Sequence, residues 1–352
     1  MNKEQRSMKE KTSLVRSLFS VLCSLLIVIC SLSFLNCAGM ATSAEEYFSI
    51  GMAYYDLGKY EDAEKWLNRA RQADKTYTAS QYNLGRIAFG RQRYDEAVKI
   101  FEGILKKDPD NITGLRAAAY TRIRMGDIDA AQKHYARLLE LVPESSDDGY
   151  NHALVLFAME RYGEAEEILA KYPFAMQENK DIQLLYARSQ GRQNKVEAIE
   201  SFSKWLSVNS DSKARYEYGQ VLEHHEFYAR ALEEYRKAHT DIASNSVDPP
   251  KHDIRFAIAR VLLIAEAESS AGVTEMQEAV NDGFKNIEAI EELIGRAKVS
   301  NANKNGLRTI ADNLHREKFA AEEGERRRLE EEQRKLDEQA AEESETNPEA
   351  DS

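Results

Sequence analysis

Small residues recur along this chain at an almost constant interval. Gly51, Gly85, Ala119, Ala153, Ala187 and Gly219 are spaced 34, 34, 34, 34 and 32 residues apart. A second series, Ala63, Ala97, Ala131, Ala165, Ala198 and Ala231, runs at 34, 34, 34, 33 and 33. A third lies four residues after the second: Leu67, Phe101, Tyr135, Leu169, Phe202 and Tyr235. A fixed period of this length means stacked repeats, each a unit too small to bury its apolar face alone.

Each unit divides into two helices. In SQYNLGRIAFG, residues 80–90, Gln81, Leu84, Gly85 and Ala88 share one stripe. In RQRYDEAVKIFEGILKKDP, residues 91–109, Ala97, Phe101 and Ile104 do the same. These are amphipathic-helix offsets. Gly85 and Ala97 let two backbones approach, and Phe101 fills the space beside them. Pro109, and Pro143 one period later, cannot continue a helix and close their units. Tyr60, Tyr94, Ile128, Tyr162 and Tyr228 open the second helices and are expected to wedge into the turn. Lys195 breaks that rule in a shortened repeat, so its turn must be rebuilt. Glycine and proline are scarce, and apolar–polar alternation is missing, which predicts almost no sheet.

The period and these positions resemble the tetratricopeptide repeat (TPR) family. Residues 44–77 and 78–111 carry the best match, through Tyr47, Gly51, Tyr54, Ala63 and Ala70, then Leu84, Gly85, Ala97 and Pro109. Residues 112–145, 146–179, 180–211 and 212–245 follow, for six repeats over 44–245. The resemblance implies an all-α fold, a right-handed TPR superhelix of antiparallel helix pairs. ASNSVDPP, residues 243–250, reads as a loop. A degenerate repeat and capping helices are expected over 251–314, with Ala259 at the small position, helices near 287–298 and 305–315, and the polar loop KVSNANKNG between them. Residues 315–352 hold fourteen acidic and seven basic side chains, and only Phe319, Leu329 and Leu336 as large apolar ones. That seam is too thin for a sustained coiled coil. An exposed helix with pairs such as Glu330 with Arg334 and Glu331 with Lys335 is expected, ending in a disordered tail at ETNPEADS.

The N-terminus reads as an export signal over 1–36. Lys3, Arg6, Lys9, Lys11 and Arg16 precede an apolar segment, 17–35, and Cys37 stands at its exit. Phe34-Leu35-Asn36-Cys37 resembles the lipobox of a bacterial lipoprotein signal peptide in the looser form used by spirochaetes. That resemblance implies lipid attachment at Cys37, with 37–43 as a tether. A spanning helix from Ser17 to Leu35, or cleavage after Thr42-Ser43-Ala44, are the other readings. The lipid and the spanning-helix readings both leave the body anchored on the far side of a membrane, in the cell envelope and on its periplasmic side. Cys23 and Cys30 lie inside the apolar run and no cysteine follows Cys37, so the body has no disulfide.

The formal net charge is −12, and with five basic and two acidic side chains in residues 1–36 the part from Cys37 onward carries −15. Such a surface disfavours nucleic acid. No phosphate loop, HExxH or GxSxG occurs, and His224 and His225 are adjacent rather than a chelating i, i+4 pair. No enzyme activity, metal or cofactor is expected. Asn111-Ile112-Thr113 matches a glycosylation sequon but reads most simply as a repeat boundary.

In TPR stacks the first helices line a concave groove. The resemblance places Phe48, Tyr82, Arg116, Tyr150 and Tyr216 in one row, with Arg86, Tyr120 and Arg188 beside them. Tyr55, Phe89 and Phe157 form a third line, with Arg124 and Arg192 adjacent. Rigid aromatics and arginines are common binding anchors, and a guanidinium fork suits a carboxylate. The expected occupant is a protein segment with acidic character. The competing reading has the aromatics packing on the next repeat and the arginines pairing with nearby Glu and Asp. Met52 and Tyr82 stand where the charged-clamp form of the family carries Asn or Lys. Together these features point to a membrane-tethered scaffold or adaptor. The alternative is a structural subunit of an envelope or motility-associated assembly, or an accessory ligand-carrying subunit for solute uptake.

Overall fold

The computed structural model describes residues 43–242, 247–266 and 269–346. The signal segment and Cys37 lie outside the described residues. Those described are α-helical throughout, apart from one isolated bridge between Val247 and Pro250. They form two compact units, divided between Leu141 and Val142.

The first unit holds three helix pairs: α1 (Ala44–Asp56) with α2 (Tyr60–Ala73), α3 (Thr78–Gly90) with α4 (Tyr94–Leu105), and α5 (Ile112–Met125) with α6 (Ile128–Leu141). The second holds α7 (Ser146–Ala158), α8 (Tyr162–Leu169), the short α9 (Pro173–Glu178), α10 (Lys180–Arg192), α11 (Ala198–Leu206), α12 (Ser212–His224) and α13 (Tyr228–Asp241). After these come α14 (Lys251–Ala265), α15 (Ala271–Asn281), α16 (Ile287–Gly295) and α17 (Asn301–Thr346). The architecture is a stack of antiparallel helix pairs with extra C-terminal helices.

Every member of the three periodic series is buried. The three glycines of the first series each face the large residue sixteen positions on. A Cβ placed on Gly51, Gly85 or Gly219 would lie 2.8 Å from Leu67, 2.5 Å from Phe101 or 2.4 Å from Tyr235. Contact this close is what brings the paired helix axes together, and Ala63, Ala97 and Ala231 complete it at 0% exposure.

The turns are equally periodic. Tyr60, Tyr94, Ile128, Tyr162 and Tyr228 each open a second helix. Two residues before each stands a left-handed backbone: Gly58 (φ 71°), Gln92 (60°), Gly126 (78°), Glu160 (60°) and Glu226 (61°). The aromatic opening the second helix packs on the aromatic closing the first, as Tyr55 with Tyr60 at 5.5 Å, Phe89 with Tyr94 at 5.3 Å and Phe157 with Tyr162 at 5.0 Å. In the shortened repeat a polar hub replaces this wedge. Glu166 accepts from Lys195 Nζ (2.6 Å), Gln193 Nε2 (2.8 Å) and Gln190 Nε2 (3.1 Å). Burial works against the Glu166 charge, but these donors hold its carboxyl below the usual range.

First helices other than α3 are capped by side chains: Ser43 forms a capping box with Glu46, Asn111 accepts from Gly114 N (2.9 Å) and Asp211 from Ala214 N (2.6 Å). Asn111 thus marks a repeat boundary.

Three features differ from the sequence reading. Helix α9 interrupts the repeat at 146–179, where Pro173 starts a new turn after α8 ends early. The capping helix and the charged stretch after residue 315 are one helix of 46 residues, because no proline or glycine cluster breaks α17, and the loop before it shrinks to 296–300. Along α17, Lys335 pairs with Glu331 (3.1 Å) as expected, but Arg334 reaches forward to Glu338 (3.6 Å) and Glu330 lies with Arg326 (3.7 Å). Ala259 is fully buried in the core with Met276, Ile290 and Leu307. No helix of the described residues is long and apolar enough to cross a membrane.

Candidate functional site

In the first unit, α3 and α5 carry the residues that the sequence places on the groove side. Both helices lack acidic residues altogether, whereas α2, α4 and α6 carry them. Arg86, on α3, is exposed. Its Nη1 donates to Asn83 Oδ1 (3.0 Å) and its Nη2 to the Tyr55 hydroxyl (3.1 Å), with the guanidinium 5.0 Å from the Tyr55 ring centre. On α5, Arg116, Tyr120 and Arg124 follow one another at i, i+4 and i+8, all exposed. Arg124 Nη2 donates to the Tyr94 hydroxyl (3.3 Å), and the guanidinium lies 5.8 Å from that ring. The Tyr94 hydroxyl holds the Arg124 pKa above its ordinary value. The Phe89 ring lies 5.3 Å from the rings of both Tyr94 and Tyr120.

Arg86 and Arg124 therefore rest on neutral hydroxyl and amide groups. Arg122, by contrast, is held by Asp127 (2.8 Å) and by Glu102. Tyr82 and Phe89 are half-buried against Phe101 and Ala118 and shape the surface from below. Tyr120 keeps 50% of its area in water.

In the second unit the same positions are more enclosed. Tyr150 and Phe157 pack against Ala153 and Leu156, and burial pushes the Tyr150 hydroxyl pKa up. Arg188 Nε donates to Glu217 Oε2 (2.7 Å). Burial raises the Glu217 pKa even so, with Arg188 pulling the other way. Arg188 and the exposed Arg192 line a cavity of about 190 Å³ with Phe202, Glu217 and Gln220. Tyr216 lies 5.6 Å from Tyr235, against the core.

The sequence reading passed over Asn83 and Tyr94 as arginine partners, and over Glu217. It also passed over Glu223 and Arg260, which form a two-pronged pair at 2.6 and 2.7 Å over Phe256. One signal was present. Contacts between neighbouring repeats join residues about one period less a helical turn apart: Tyr55 with Arg86, Tyr94 with Arg124, Glu166 with Lys195, Arg188 with Glu217. Scanning for complementary side chains at that spacing finds them. Among the described residues no group of three or more His, Cys, Asp or Glu could hold a metal ion.

Two family models, each described as tetratricopeptide repeat, match residues 48–112 and 122–189. Over these two stretches the chain is similar to tetratricopeptide repeats. The chain is 28% identical to an "Uncharacterized lipoprotein" of Treponema pallidum (strain Nichols) over 142 residues, 40% of this chain and 72% of that protein. It is 25% identical to the mouse N-alpha-acetyltransferase 16, NatA auxiliary subunit, over 35% of this chain but spans only 14% of that protein's length. Among solved structures, a tetratricopeptide repeat protein from Parabacteroides merdae ATCC 43184 is similar at 23% identity and a TM-score of 0.48, covering 72% of this chain and 98% of that one. Repeats of this family mediate protein–protein contacts and generally carry no catalytic site.

Proposed function

We propose that this TPR protein is a non-catalytic structural subunit of a cell-envelope assembly, tethered to a membrane through lipid on Cys37. Its α3–α5 face takes an acidic segment of a protein partner. The observation that carries the reading is the state of Arg86 and Arg124. Both are exposed, both sit on helices without acids, and both are bonded to tyrosine and asparagine groups that leave their charge uncompensated. A carboxylate gains charge-assisted bonds there without displacing one already in place.

A structural subunit fits better than an adaptor that exchanges clients. Tyr82, Phe89, Tyr150 and Phe157 are packed into the repeats rather than standing open, and Arg188 is occupied by Glu217. Within each unit such packed side chains make a stiff surface, suited to a lasting contact. The auxiliary-subunit name of the mouse relative supports the same direction, and the Treponema pallidum lipoprotein supports the tether. The Arg188–Glu217 cavity is small and lined by charge, which does not suit an apolar ligand there.

Labelled palmitate incorporation, lost in Cys37→Ser, tests the tether. Crosslinking in intact cells tests the face. Wild-type chain is expected to capture a defined partner that Arg86→Ala/Arg124→Ala does not. Equal capture by both would remove the assignment of the face.

A further inference from the structure

We propose that the second unit holds a slot for one tyrosine side chain of a protein partner, walled by Arg188, Gly191, Arg192 and Gln220. The site belongs to other residues than the α3–α5 face and does not depend on that reading.

The slot comes from a break in the repeat. Tyr55, Phe89, Ile123, Phe157 and Gly191 stand 34 residues apart, each near the end of a first helix. In three of these repeats the ring closing the first helix packs on the tyrosine opening the second, at 5.0 to 5.5 Å. In the third repeat isoleucines, Ile123 and Ile128, take both places. In the fifth both large side chains are gone. Gly191 has none, and Lys195 reaches Glu166 instead. At that place lies the cavity of about 190 Å³. A Cβ placed on Gly191 would stand 3.1 Å from Val221 Cγ2 and 3.2 Å from Phe202 Cε2, and both side chains line the cavity. Position 191 therefore faces the cavity wall. A cavity of about 150 Å³ is already enough for benzene, so this one admits a single ring.

The lining selects which ring. Phe202 and Val221 give it an apolar wall. Arg188 and Arg192, four residues apart on α10, share one side of the helix and bring two cations to the cavity. The negative face of an aromatic ring complements them. The chain makes the same contact with its own rings, setting Arg86 over Tyr55 at 5.0 Å and Arg124 over Tyr94 at 5.8 Å. Gln220 and Glu217 supply polar groups for a hydroxyl. Glu217 accepts from Arg188 Nε (2.7 Å), and burial still raises its pKa. A second donor offsets that burial, as the Tyr235 hydroxyl does for Glu223 at 2.9 Å. Phenylalanine offers no such donor, and an acidic side chain would meet Glu217. Arg192 and Asn194 in the lining are exposed, so the cavity opens to solvent and can be reached by a side chain of another protein.

Saturation-transfer NMR on the full chain in non-ionic detergent reads the result. The probes are blocked pentapeptides, Gly-Gly-Xaa-Gly-Gly, with tyrosine, phenylalanine or glutamate at the centre, and p-cresol. The tyrosine peptide is expected to bind about threefold or more tighter than the phenylalanine peptide, the worth of one hydroxyl bond. The glutamate peptide is expected not to bind. Arg192→Ala changes an exposed side chain and is expected to weaken the tyrosine peptide about threefold. Gly191→Tyr is expected to abolish binding, because the chain's own ring then fills the cavity. Circular dichroism checks that this variant is folded; if it is not, Arg192→Ala decides alone. No binding of the tyrosine peptide, unchanged affinity in Arg192→Ala or in folded Gly191→Tyr, or tighter binding of the glutamate peptide would each overturn the proposal. Binding of p-cresol without the tyrosine peptide would assign the cavity to a free phenol and overturn it equally. The α3–α5 face is tested through Arg86 and Arg124, so either reading can fail without the other.

Discussion

Phe101 lies directly over Gly85, and a Cβ on the glycine would stand 2.5 Å from the ring carbon Cε1. The same relation joins Gly219 with Tyr235 at 2.4 Å. The smallest residue is used where two helices must touch, and the ring across from it has no room to withdraw because it is itself 2% exposed.

Gly85→Ala is therefore expected to destabilise the protein. Overpacking a core costs about 1–3 kcal/mol, and alanine's better helix propensity returns up to about 1 kcal/mol. Gly103, in the same repeat, has nothing within 4 Å of its would-be Cβ. Gly103→Ala is expected to stabilise slightly. Thermal denaturation of the two variants should shift Tm in opposite directions.

The left-handed turns carry a second prediction. Gln92 and Glu160 hold φ at 60°, where a side chain crowds its own backbone. The corresponding positions of two other repeats are Gly58 and Gly126. Gln92→Gly and Glu160→Gly are each expected to gain up to about 1 kcal/mol, because left-handed backbone costs a non-glycine residue about 1–2 kcal/mol and the added freedom of the unfolded chain takes part of that back. Urea midpoints of the single variants check it.

Glu223 and Arg260 form a half-buried pair, and the Tyr235 hydroxyl also donates to Glu223 (2.9 Å). Burial, and then the Glu223 charge, push the Tyr235 pKa well above its ordinary value. Glu223→Leu strands Arg260 and is expected to cost about 3 kcal/mol. Glu223→Leu/Arg260→Met is expected to cost less than Glu223→Leu alone, since no charge is left without its partner. An outcome in which the double variant is worse would mean the pair itself stabilises the fold.

His152 is 6% exposed. Burial, and then the nearby Arg161, lower its pKa from 6.5 to about 4, while Glu164 acts in the opposite sense. In the window from about 6.5 down to about 4 the unfolded chain binds a proton that the folded chain refuses. The contribution is present above that window and is lost as pH falls through it, for about 3 kcal/mol in all. His152→Leu is expected to flatten this acid limb. His134 and His239, also lowered by burial, keep part of the slope. Unfolding free energies at pH 7 and pH 4.5, compared between wild type and variant, decide it.

Arg86→Ala/Arg124→Ala should leave stability within about 0.5 kcal/mol, as surface changes usually do. Both guanidiniums are exposed and neither is in an ion pair with a carboxylate among the described residues. Loss of partner capture with an unchanged urea midpoint separates a binding role from a packing one.

The helix pairs, their small contacts and the wedge residues were legible in the sequence, since each is a local pattern repeated at fixed spacing. Gly85, Ala97 and Phe101 announce their geometry because a helix fixes which side each residue faces, and the period fixes which helix it meets. The sequence alone did not reveal how each cation is satisfied. Arg86 and Arg188 occupy comparable places on first helices, yet one leans on Tyr55 and Asn83 and the other on a buried Glu217. That difference depends on which side chain of the neighbouring repeat reaches back, and on how much water remains between them. The continuity of α17 likewise escaped a reading by composition, because a polar stretch without a breaker is consistent with loop or helix until its first turns dock on α15 and α16. Period and polarity determined the stack. Packing between residues some thirty positions apart decided which of its charges are left for another molecule.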